Sequence, residues 1–153
     1  MAEAFRQIPY GIYVLTARRG AEFHSLIVSW VSQVSYSPPL LMVAVRRNRR
    51  ALPALRESGV FSLSLLKGEQ KGLVSRVKQS PPEPGSSIYA PAGGPDRAPV
   101  LKSCQASWQC SLLSTVEAGD HILCLGEVRA AFAEPDGEPL TTLEYGKTYI
   151  GQS

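Results

Sequence analysis

The chain has 153 residues, 44% of them hydrophobic and 19% charged, and sixteen lysines and arginines against thirteen acids leave a formal charge of +3. This composition excludes a disordered chain, and the length fits one domain, 1–153, whose core needs neither metal nor disulfide. The charge is too mild for a nucleic-acid binder, which shows a basic face or stripe; the most apolar stretch, Pro38–Val45, is far too short to span a bilayer.

Met1–Gln7 holds Glu3 and Arg6 and no long apolar run, so it reads as neither signal peptide nor membrane anchor. Strand signals follow. Gly11–Ala17 is rich in β-branched and aromatic residues, comes after a Pro-Tyr-Gly turn signal and is closed by Arg18-Arg19-Gly20. His24–Ser35 reads as one longer strand, with Leu26, Val28 and Trp30 on one face and Ser25, Ile27, Ser29 and Val31 on the other. Tyr36-Ser37-Pro38-Pro39 must break it, because two prolines remove two ladder donors. Leu40–Val45 is a continuous apolar run, as expected of a strand buried on both faces.

Arg46, Arg47, Arg49 and Arg50 around Asn48 make the one dense basic cluster. A short helix is predicted over Arg50–Glu57, with Asn48 as N-cap, Pro53 in the first turns and Ser58-Gly59 at its end. Phe61–Leu65 alternates again as a strand, and Glu69–Val77 has helical character. Gln79–Pro99 is irregular, with Pro81, Pro82, Pro84, Pro91, Pro95 and Pro99 among Gly85, Gly93 and Gly94; a loop of roughly 20 residues inside one domain is functional or mobile. Two long strands, Ala106–Ala118 and Ile122–Phe132, are joined by Gly119-Asp120-His121, and Glu134-Pro-Asp-Gly137 marks a turn before Leu140–Ile150. Many strands with a few short helices predict a mainly β fold, a barrel with helical insertions that removes exposed edges.

Cys104, Cys110 and Cys124 are odd in number and lack CxxC spacing; with only His24 and His121 beside them, no metal site is expected. Free thiols in a reducing cytoplasm are the simplest reading.

The order of motifs is specific. Ile8-Pro-Tyr-Gly-Ile-Tyr-Val-Leu-Thr16 precedes Ser29-Trp-Val-Ser-Gln-Val-Ser-Tyr-Ser-Pro-Pro39, then Ala54-Leu-Arg-Glu-Ser-Gly-Val-Phe61, then Gly119-Asp-His121 with Gly126-Glu-Val128 shortly after. From about Phe5 to Tyr149 the chain resembles the flavin reductase-like family, whose fold is the FMN-binding split barrel. Ser29-Trp30 and Tyr36-x-Pro-Pro39 are closer to its flavoredoxin branch.

The resemblance implies FMN as cofactor, NADH or NADPH as a possible co-substrate, and a homodimer with flavin sites built from both subunits. A flavin ring needs an apolar bed and polar groups at its edge, and the resemblance lays it along His24, Val28, Ser29, Trp30, Val31 and Ser32. Val34 adds apolar surface. Arg46, Asn48, Arg49 and Arg50, between a buried strand and a helix start, suit the FMN phosphate. The family often has Ser or Thr just inside that helix; Arg50-Ala51 stands there instead. His121 is the expected catalytic residue, near flavin and nicotinamide, with Lys78 as a cation for the reduced ring and Tyr149 from the Tyr-Gly-Lys-Thr-Tyr element near the partner subunit. With no Gly-x-Gly-x-x-Gly turn, a nicotinamide must bind by another surface than a Rossmann one.

Three functions fit these residues. One is a reductase moving hydride from NAD(P)H through FMN to free flavin or a redox partner. The second is a flavoredoxin-like electron carrier that exchanges electrons with a redox protein and needs no nicotinamide. The third is a binding module that kept the fold and lost the flavin, supported by Ala51.

Overall fold

Period-two runs of Val, Leu, Ile and Thr become seven strands, because alternating side chains bury one face of a sheet against a core. They are β1 (Tyr13–Arg19), β2 (Glu22–Val28), β3 (Val31–Ser35), β4 (Leu40–Arg46), β5 (Val60–Leu65), β6 (Ala106–Ala118) and β7 (His121–Ala133). The helices are α1 (Ala2–Arg6), α2 (Ala51–Ser58), α3 (Leu73–Gln79) and α4 (Thr142–Tyr145). This is a computed structural model that describes residues 1–83 and 85–151.

The strands form one antiparallel sheet in the order β2-β1-β5-β6-β7-β4-β3. β2 and β3 are thus the two edges of the ladder, yet they are joined in sequence by Ser29-Trp30 alone. Val28 ends its ladder opposite Tyr13, and Val31 begins a new one opposite Val43. The sheet must curl until its edges meet at these two residues, which makes a barrel split along one seam. The single strand expected over His24–Ser35 is therefore two. Periodicity does not reveal the break, because Ser29 and Trp30 are neither proline nor glycine; it comes from the chain changing ladders.

Two cores fill the fold. Leu15, Val43, Phe61, Leu63, Ile122 and Cys124 pack with Ala51, Leu52, Ala54 and Leu55 of α2. Ile12, Val14, Leu66, Val74, Val77, Tyr89 and Leu140 form the second, against α3. Gly126 lies where β7 passes Phe61: a Cβ there would stand 2.7 Å from Phe61 Cε1 and 2.9 Å from Cys110 Cβ. Only glycine lets the strand approach so closely.

α2 begins one residue later than expected, with Arg50 at the N-cap and no side-chain cap. Asn48 does not cap it. Arg49 N–H bonds Arg46 C=O at 3.0 Å and Leu52 N–H bonds Arg49 C=O at 3.1 Å, so a turn through 46–49 leads into the helix and leaves Asn48 exposed. The helix ends as expected at Gly59, at φ 68°, whose N–H bonds Leu55 C=O. The helix expected over Glu69–Val77 divides into a 3-10 turn, Gly68–Gln70, and α3. α1 was not foreseen; it is five residues long and buries nothing.

The proline-rich loop is pinned to the barrel. Ser62 Oγ donates to Pro99 C=O, Ser64 Oγ accepts from Leu101 N–H at 3.1 Å, and Gln109 holds both the N–H and C=O of Ala98. Arg18 reaches Gly94 C=O at 2.8 Å. Pro84, one of its six prolines, lies outside the described residues.

Candidate functional site

A cavity of about 690 Å³ opens along the seam, within the size range of small-molecule and cofactor sites. Its bed is β2, through Ser25, Leu26, Ile27 and Val28, continued by Ser29 and Trp30. Both faces of β2 contribute because it is an edge strand and the seam leaves it uncovered. Ile12, Val74 and Val77 add an apolar wall. Ser29 is 7% exposed and its Oγ is buried with no hydrogen-bond partner. A buried hydroxyl without a partner is costly, and the residue that carries it is part of the cavity lining.

Arg46 from β4, half-buried Arg49 and Lys78 from α3 bring three cations to the wall. Three rings meet beside Arg46, which pairs with His121 across β4 and β7. Trp30 and His121 have centroids 4.7 Å apart, Trp30 and Tyr149 5.0 Å, and His121 and Tyr149 5.8 Å.

His121 is held tightly. Gly119, at φ 60°, and Asp120 make the two-residue hairpin loop between β6 and β7. His121 opens β7 opposite Arg46 and is 3% exposed. Its Nδ1 lies 2.6 Å from Asp120 Oδ1 and its Nε2 2.9 Å from Tyr149 OH. The hydrogen bond to His121 holds the Asp120 carboxyl below the usual carboxylate range. Asp120 is therefore ionised near neutrality. It fixes the proton of a neutral ring on Nδ1 and leaves Nε2 to accept from the Tyr149 hydroxyl.

Of the residues expected in the site, Val28, Ser29, Trp30, Arg46, Arg49, Lys78, His121 and Tyr149 line the cavity together. His24, Val31, Ser32, Asn48 and Arg50 stand outside its wall. Val31 and Ser32 lie beyond the seam on β3, where Ser32 is exposed and Val31 half-buried, and Val34 is 50% exposed. Asn48 and Arg50 face solvent on the turn. His24, opposite Ala17 towards the hairpin end of β2, keeps a buried Nε2 without a partner, away from the cavity.

Ile12, Ala44, Val74, Val77 and Thr142 line the cavity unforeseen, and Ser25, Leu26 and Ile27 of the expected flavin strand and Tyr145, Lys147 and Thr148 of the Tyr-Gly-Lys-Thr-Tyr element join them. One signal for them was available: Val74, Val77 and Lys78 stand at i, i+3 and i+4, one face of a helix. No described residue from 79 to 99 lines the cavity. The proline-rich loop instead covers a second, smaller cavity of about 300 Å³, beside Phe23 and Tyr89.

A split barrel whose seam opens on an apolar bed, with cations and stacked rings on the same wall, suits a flat ring carrying an anionic tail. The chain belongs to the family described as flavin reductase like domain, whose model matches residues 5–151.

Among curated relatives, actinorhodin polyketide dimerase of Streptomyces coelicolor is 31% identical over 142 residues, 91% of this chain and 78% of that one. A flavin reductase (NADH) of Kitasatospora aureofaciens is 29% identical over 131 residues, 84% of this chain and 69% of that one. The chain spans only a part of several others, 24% of a Synechocystis diflavin flavoprotein that is 30% identical over 142 residues. Among solved structures, the NADH:FAD oxidoreductase of Streptomyces globisporus C-1027 superposes with a TM-score of 0.81 at 26% identity, covering 90% of this chain and 83% of that one. The styrene monooxygenase flavin reductase of Pseudomonas putida S12 does so with a TM-score of 0.76 at 28% identity, covering 90% and 89%.

Proposed function

We propose that this chain is an oxidoreductase that binds FMN in the seam cavity, accepts hydride from NADH or NADPH, and passes electrons to free flavin or a redox partner. The observation that carries the reading is one cavity in which the apolar bed of β2 meets three cations and a cluster of three rings. FMN offers what each of these needs: an apolar ring, polar atoms along its edge, and a phosphate. The hydride chemistry is the cofactor's own.

This chain's residues supply the rest. Leu26, Ile27 and Val28 make the apolar bed that excludes water from the ring. Ser29 Oγ donates to, or accepts from, the ring edge. Arg49, with Arg46 and Lys78, holds the phosphate by charge-assisted hydrogen bonds. The Asp120–His121 pair holds the imidazole in place beside Trp30 and Tyr149.

The reading extends to a homodimer. β6 pairs with β5 only as far as Ser111, and beyond it Leu113–Ala118 is exposed, with Leu113 57% and Val116 47% accessible. Such a strand edge is a ready surface for another copy. Among the described residues no helix is long and apolar enough to cross a membrane, and a cytoplasmic site of action goes with the three free thiols.

The test is the absorption spectrum of the purified protein after incubation with FMN and desalting, followed by anaerobic mixing with NADH and with NADPH. Bound-flavin bands that bleach on a catalytic timescale are expected. A protein that retains no flavin defeats the reading. Retained flavin that stays oxidised with both nucleotides replaces it with the carrier function.

A further inference from the structure

The cavity wall beside Trp30 and His121 is built in part by a segment with a narrow hold on the barrel. α4 ends at Gly146, at φ 79°, and residues 147–150 have no regular structure before Gly151, at φ 91°. Among the described residues, the hydrogen bonds that tie 147–151 to the barrel run through Tyr149. Its hydroxyl bonds His121 Nε2 at 2.9 Å, and its carbonyl accepts from Trp30 Nε1–H at 3.3 Å, the second at the long end of the hydrogen-bond range. The other two rings of the cluster are fixed by the barrel. His121 is buried in β7 and held by Asp120, and Trp30 is held at the seam by the bond from Ala44 N–H to its carbonyl, at 3.0 Å.

We propose that Tyr149 is a displaceable occupant of the slot beside Trp30 and His121, and that residues 147–151 act as a latch which the nicotinamide of the hydride donor lifts. This rests on the reading of the cavity as a site for flavin and nicotinamide. Two ring faces and edges in contact favour a third flat ring, and Tyr149 provides one while the site waits. What it surrenders on leaving is one acceptor bond at Trp30 Nε1–H and one donor bond at His121 Nε2. A nicotinamide carboxamide carries both complements on one group: its C=O accepts from an indole N–H, and its NH₂ donates to an imidazole nitrogen. The exchange thus leaves neither buried group unsatisfied. Until then the closed latch reduces the apparent affinity for the nucleotide by the fraction of molecules that are open.

The test compares the FMN-loaded wild type with Tyr149→Ala and Tyr149→Phe. Tyr149→Ala removes the occupant, so the apparent Kd for NADH falls, about three- to tenfold for a latch closed roughly two-thirds to nine-tenths of the time. Tyr149→Phe keeps the ring and loses the hydroxyl bond, and falls between the two. In the wild type, hydrogen exchange of the amides at 147–151 accelerates when NAD⁺ is added to the FMN-loaded protein. Unchanged or weaker NADH binding by Tyr149→Ala, or slower exchange at 147–151 with NAD⁺, makes the segment a fixed wall and overturns the latch while the flavin reading stands. A wild-type protein that takes up no FMN removes both.

Discussion

Arg49 separates a phosphate site from a merely basic loop. It is half-buried in the cavity wall, whereas Arg50, next to it in sequence, is exposed and outside the wall. A hydrogen bond to a charged group contributes about 1.5–3 kcal/mol, which at tenfold per ~1.4 kcal/mol is about 10- to 150-fold in Kd. Arg46 and Lys78 line the same cavity, so the loss in Arg49→Ala falls in the lower part of that range, about tenfold for FMN. Riboflavin has the ring without the phosphate, and its Kd should change by less than about twofold, since the cavity bed is untouched. Titration of flavin fluorescence with both ligands, at low and high salt, reads this directly. The preference of the wild type for FMN over riboflavin should shrink as salt rises, and Arg50→Ala should behave as the wild type. Equal losses for FMN and riboflavin, or a larger effect at Arg50 than at Arg49, would refute the assignment of Arg49 to the phosphate.

Gly126→Ala drives a methyl group against buried Phe61 and Cys110. Overpacking of this kind costs about 1–3 kcal/mol, a fall of about 2–12 °C in a protein of this size, to be measured by thermal unfolding. Asp120 has a folded-state pKa held down by His121, so its contribution to stability is present above its unfolded pKa of about 4 and is lost as pH falls through the lower folded value. Asp120→Asn should flatten the acid limb of the stability–pH curve in denaturant titrations; an unchanged limb would show that the pair contributes nothing there. Burial pushes the Cys110 thiol up to about 12 and the Cys124 thiol up to about 11. Both should resist a thiol reagent at pH 8 in the folded protein and react once it is unfolded.

Much of the fold could be read from local pattern. Alternation in Phe61–Leu65, the apolar run Leu40–Val45 and the paired long strands after Ala106 each carry their own period, and Gly59 and Gly119 mark their turns through positive φ. The candidate site was legible where one short stretch supplies several groups, as in Val28-Ser29-Trp30 or Gly119-Asp120-His121. It was not legible where the barrel joins distant segments. Tyr149 touches Trp30 across 119 positions, and no local rule places one beside the other.

The amino-acid sequence alone determined which segments extend, which turn and which residue types could bind a ring and an anion, because those follow from side-chain period and backbone freedom within a few residues. Only the tertiary structure decided that His24–Ser35 breaks at Ser29, that Arg49 and not Arg50 or Asn48 reaches the cavity, and that the proline-rich loop lies elsewhere. These depend on which edges of the sheet meet when it curls, a balance of long-range pairings that no single segment encodes.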